Sequence, residues 1–131
     1  MSKFILSIVL VLSCLPVYAG NLVISNDKPE IGGRVLITYE TDASVLDSHY
    51  LIVYHFRENQ RFPTAEASLL NGGVRQFIDS RDNFLLMKVI NKYGMVDDNN
   101  GNYWDLVIYT ENKPVKNAYL NMALSYLGTT G

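Results

Sequence analysis

His49-Tyr50-Leu51-Ile52-Val53-Tyr54-His55-Phe56 is the stretch whose reading decides the fold. β-Branched and aromatic residues fill it, and these suit a pleated, half-buried surface. Alternation sets Tyr50, Ile52, Tyr54 and Phe56 on one face of a strand and His49, Leu51, Val53 and His55 on the other. Upstream, Arg34 to Glu40 alternates in the same way, with Val35, Ile37 and Tyr39 opposed to Leu36, Thr38 and Glu40. Asn21 to Ser25 is a shorter apolar strand, closed off by the loop Asn26–Glu30 and by Gly32-Gly33.

Downstream come Ala65 to Leu70, the turn Asn71-Gly72-Gly73, and a short strand from Val74 to Ile78. Asn83 to Asn91 is apolar on both faces, which predicts a central strand. Tyr103 to Thr110 completes the set, and Asn100-Gly101 before it suits a type I′ hairpin turn. Short strands with polar turns between them predict an all-β fold: an Ig-like antiparallel sandwich of seven strands over residues 20–115. The period then changes. Ala118, Met122 and Tyr126, flanked by Tyr119, Ala123 and Leu127, recur at helical spacing, and Gly128 is a natural stop. Residues 116–131 therefore read as a C-terminal helix, expected to open a further region of a longer protein.

The N-terminus reads as a secretory leader over residues 1–19. Lys3 is its only charge, Phe4 to Leu12 is apolar apart from Ser7, and Pro16 breaks the run before Val17-Tyr18-Ala19. That run falls short of the roughly 20 residues an anchor needs, so no transmembrane anchor is expected after cleavage, and the protein is expected in the periplasm or outside the cell. The single cysteine, Cys14, lies inside the leader, where Val11-Leu12-Ser13-Cys14 partly matches a lipoprotein box, the alternative route to the envelope. Cleavage after Ala19 leaves no thiol, hence no disulfide and no thiolate metal site.

The 131 residues are 48% hydrophobic and 18% charged, enough for one packed domain. With 11 Lys+Arg against 13 Asp+Glu and no basic stripe, a nucleic-acid partner is excluded. No nucleophile elbow and no phosphate loop is present, so neither catalysis nor a cofactor is expected. Asp97, Asp98 and Asn100 offer the hard oxygens calcium prefers, yet Asn102 and Ile108 stand where an EF-hand needs Gly and Glu. These residues read as a solvated turn, and no metal is expected. His49 and His55 stand about 20 Å apart along one strand, too far to share a metal, and each reads as a surface or edge histidine. Asp47, Asp79, Asp82 and Glu66 could pair in space, but their positions in the sequence do not say with what. Tyr54, His55, Tyr103 and Trp104 are the candidates for a sugar-stacking platform, although Trp104 shares a face with Leu106 and Ile108 and reads as buried.

Two resemblances rest on short motifs. Pro29-x-x-Gly32-x-x-Val35-x-Ile37-x-Tyr39, Ile52-x-Tyr54, Asp97-Asp98-Asn99-Asn100-Gly101-x-Tyr103 and Asn112-Lys113-Pro114-Val115-x-x-Ala118 resemble the Ig-like N-terminal module of exported bacterial thioredoxin-family thiol–disulfide oxidoreductases. This resemblance implies a non-catalytic accessory module joined to downstream domains of the same polypeptide or to a protein partner. The redox Cys-x-x-Cys of that family is absent here. Tyr54-His55 and Asp98-Asn99-Asn100-Gly101-Asn102-Tyr103 are similar to starch-binding carbohydrate-binding modules, which implies a glucan ligand. The leader reading makes the first test simple. Exported material should begin at Gly20 on N-terminal sequencing, and an intact Met1 or a lipid on Cys14 would refute it.

Overall fold

The structure is a computed structural model and describes residues 20–41 and 49–129; the leader reading falls outside those residues. Strands β1 (Asn21–Ile24), β2 (Arg34–Glu40) and β5 (Val74–Phe77) form one antiparallel sheet in the order β1-β2-β5. Strands β3 (His49–Arg57), β4 (Thr64–Leu69) and β6 (Asp82–Asn91) form the second, in the order β4-β3-β6. Along the far side of β6 run two short strands, β7 (Val96–Asp97) and β8 (Trp104–Val107), both antiparallel to it. The two sheets face each other as an all-β sandwich. In the constant-type immunoglobulin arrangement the fourth strand lies beside the fifth; here the short link 58–63 keeps β4 on β3 instead.

The interior follows from alternation. Val35, Ile37 and Tyr39 of β2 meet Leu51 and Val53 of β3 and Leu85, Met87 and Val89 of β6 in one buried cluster. The opposite face of β6 is covered as well. Phe84 and Leu86 lie buried there with Phe56, packed by Tyr54, Tyr103, Val107 and Met122. Met122 belongs to helix α1 (Ala118–Leu124), which runs on into a π-helical turn, Ser125–Thr129. The helix starts later than residue 116 because Asn117 sits in the left-handed region at φ 68°, which no α-helix continues through. Tyr126 then donates a hydrogen bond to Asp105 of β8 and fixes the tail to the sheet; that bond first, and burial second, push the Tyr126 phenol up to about 12.

The predicted hairpin at Asn100-Gly101 is corrected. β7 and β8 do not pair with each other: Asp97 faces Val89 and Trp104 faces Met87, so both continue one edge strand along β6. The turn out of β6 is 92–95, closed by Gly94 N–H donating to Asn91 O at 3.0 Å. Residues 98–103 loop out of the edge strand, and Asn99, Asn100 and Gly101 take φ of 58°, 58° and 86° there. Two consecutive left-handed residues also occur at Glu111-Asn112, between β9 (Tyr109–Thr110) and β10 (Lys113–Pro114), as a type I′ turn requires. β9 closes the sandwich edge: Tyr109 N–H donates to Pro29 O and Tyr109 O accepts from Ile31 N–H.

Buried apolar side chains on both faces of the second sheet set the stability test. Ile37→Asp and Leu86→Asp each place an unpaired charge inside and should unfold the domain, since the loss of several kcal/mol is on the order of a small domain's whole stability. Ile52→Asp, on the half-buried outer face of β3, should cost less. A parent-like melt for Ile37→Asp, followed by circular dichroism, would mean the sheets do not pack through this face.

Candidate functional site

The richest grouping of acid–base side chains sits where the β3–β6 ladder is irregular. Phe56 faces Phe84 but the next residue, Arg57, faces Asp82, so Asn83 is the extra residue of a β-bulge. Its carbonyl is not orphaned, because Ile108 N–H donates to it. The bulge brings Asp82 within reach of both polar residues at the end of β3. Arg57 Nε donates to Asp82 Oδ1 at 2.8 Å, and His55 Nδ1 lies 3.1 Å from the same oxygen. Asp79 N–H donates to Asp82 Oδ2 at 2.9 Å. On the other side of the ring, His55 Nε2 lies 3.4 Å from Glu66 Oε1 on β4.

His55 is therefore no surface histidine: it and His49 are both buried, on the inner face with Leu51 and Val53. A lone histidine on a strand usually finds water. Here Asp82 and Glu66 take the places of water, one carboxylate against each ring nitrogen. Burial pushes the Asp82 carboxyl up, but hydrogen bonds from His55 and Arg57 and the charge on His55 outweigh it, holding it below its ordinary 3.8. Asp82 has no exposed surface from which to act on a ligand, whereas Glu66 is half exposed.

The four residues expected to stack on a sugar are not brought together. Tyr54 and Tyr103 meet on the outer face around Phe84, with Lys88 Nζ 5.5 Å above the Tyr54 ring. His55 points to the other face, and half-buried Trp104 packs against the inner cluster. The oxygen-rich segment is also used internally: Asp97 is buried, and Asp98 Oδ1 accepts from Gly101 N–H at 2.9 Å. Among the described residues no three His, Cys, Asp or Glu side chains are grouped to hold a metal. Asn100 is an exposed left-handed loop residue.

A surface feature that the sequence did not announce lies beside the helix. The β3–β4 link and α1 enclose a cavity of about 290 Å³, walled by Phe56, Phe62, Pro63 and Leu124 with Arg57 and Arg61 among its polar residues. Leu120 of the same helix and Leu127 of the turn that follows it are 56% and 79% exposed. The helical period could have shown this, since Tyr119, Leu120 and Ala123 lie off the stripe of Ala118 and Met122. No family model, no curated protein and no solved structure matches this chain.

Asp82 and Glu66 should respond differently to neutralisation. Asp82→Asn removes the charge partner of Arg57 and a hydrogen-bond partner of His55 and should lose about 3 kcal/mol, whereas Glu66→Gln, half exposed, should lose less than about 1 kcal/mol. Because the folded-state pKa of Asp82 lies below the ordinary 3.8, its ionised form adds stability that is complete above that value. That stability is lost as the pH falls through the folded value. Urea melts between neutral pH and pH 3 should therefore show an acid limb that shrinks in Asp82→Asn; an unchanged limb would place the acid sensitivity elsewhere.

Proposed function

We propose that this chain is a non-catalytic accessory module of the cell envelope, exported on its leader, cut after Ala19, and docking a protein partner through the outer face of its C-terminal helix. The observation that carries this reading is the helix itself. Ala118 and Ser125 are buried and Met122 packs on the Phe84 cluster, while Tyr119, Leu120 and Leu127 lie more than half exposed and Leu124 lines the cavity with Phe62. Large apolar side chains grouped on an exposed helix suit an interaction site. The setting that suits it is the N-terminal domain of a larger envelope protein, such as a thioredoxin-family oxidoreductase, whose following domain or partner would cover this face. Support for a non-catalytic role comes from His55, which is buried and held between Asp82 and Glu66. The glucan-binding alternative is less well supported, because its aromatic residues are divided between two faces of the second sheet.

The test is site-specific photo-crosslinking in exporting cells. A photoreactive residue at Leu120 or Leu127 should give one discrete protein adduct, and the same residue at Arg75 on the opposite sheet should give none. Leu120→Asp with Leu127→Asp should remove the adduct while shifting stability by no more than about 0.5 kcal/mol. Adducts of equal pattern from all three positions would sink the docking face. A saturable change in Trp104 fluorescence with maltooligosaccharides would promote the glucan reading in its place.

A further inference from the structure

Asp97 is a buried carboxylate. It is 4% exposed, and no lysine, arginine or histidine among the described residues forms an ion pair with it. Such a group is expensive to bury unless it is fully hydrogen-bonded and paired. Hydrogen bonds it has: Tyr39 Oη donates to Oδ2 at 2.5 Å, Asn99 N–H to Oδ1 at 3.1 Å, and Gly20 N to Oδ2 at 2.7 Å. The third donor is the backbone nitrogen directly after the expected cleavage point.

We infer that Asp97 is the receptor for the processed N-terminus, pairing with the α-ammonium of Gly20. Hydrolysis of the Ala19–Gly20 bond consumes one water; the leader departs with a carboxylate at Ala19, and the Gly20 nitrogen takes up the protons that make it an ammonium. A neutral amide donor thereby becomes a cation with three N–H donors at the same oxygen, and charge-assisted hydrogen bonds are roughly twice as strong as neutral ones. The inference rests on the reading that the leader is removed after Ala19, and the geometry adds something that reading does not contain. A Cβ on residue 20 would stand 2.5 Å from Cζ and Oη of Tyr39 and 2.7 Å from Glu40 O, so only glycine presents its nitrogen here without displacing them. The first residue of the processed chain is that glycine. Tyr39 belongs to β2 and Asp97 to β7, so the new terminus joins the two sheets of the sandwich.

The experiment compares exported protein with the same chain produced with Ala19 as its first residue, each in the parent and Asp97→Asn backgrounds. Mass spectrometry first fixes the exported N-terminus; any start other than Gly20 overturns the processing reading, whatever the melts show. With Gly20 confirmed, the Ala19-extended protein should melt about 5 °C lower, and the difference should vanish in Asp97→Asn. The Gly20 amine should also acetylate about tenfold more slowly than the amine of the extended protein, a readout that survives if Asp97→Asn fails to fold. Equal melting and equal amine reactivity in a chain that begins at Gly20 would overturn the capture by Asp97 alone.

Discussion

Strand β6 has apolar side chains on both of its faces, and such a strand is stable only where both faces are taken out of water. One sandwich interior covers Leu85, Met87 and Val89; it can do nothing for Phe84 and Leu86. That second face obliges the chain to return after its last strand and lay α1 across the sheet. With only seven residues, the helix is far too short to persist alone, so Met122 against the sheet and Tyr126 on Asp105 hold it there. The arrangement commits one side of the helix to the sheet. The other side stays apolar and open, and that exposed face is in this sense a by-product of covering β6.

Polar side chains do a different job, fixing register. A slip of one residue between β3 and β6 would send every inward side chain outward. Arg57 and His55 both grip Asp82, at the start of β6, so such a slip would strand a buried carboxylate. The loop 98–103 is held in the same manner at the other end of β6, where Asp97 gathers donors from β2 and from its own loop.

The strands were legible because alternation is a local property, and β2 buries its Val35, Ile37 and Tyr39 face. On β3 the alternation was legible but not the inner face, since the buried side is the one that carries both histidines. Nor was the setting of His55. Its carboxylates stand 11 and 27 positions away, and only the bulge at Asn83 brings the farther one into line. Asn100-Gly101 was read correctly as left-handed backbone but given the wrong task, since turn chemistry does not say whether a turn reverses the chain or only detours from it. Glu111-Asn112 carries that chemistry only at Asn112, and the bonds of Tyr109 to 29–31 anchor the hairpin that follows. The open face of the helix was half legible: the apolar stripe was visible, whereas which side met the sheet depended on Phe84 and Leu86.

The detour at 98–103 also shapes the border of the second sheet. Between Asp97 and Trp104 the outermost backbone leaves the plane of the ladder, so an incoming chain finds no continuous row of amide and carbonyl groups there. Border strands left straight invite further strands and, eventually, aggregation. The irregular loop works as a fence on this side, and any lateral growth of the sheet is left to β4.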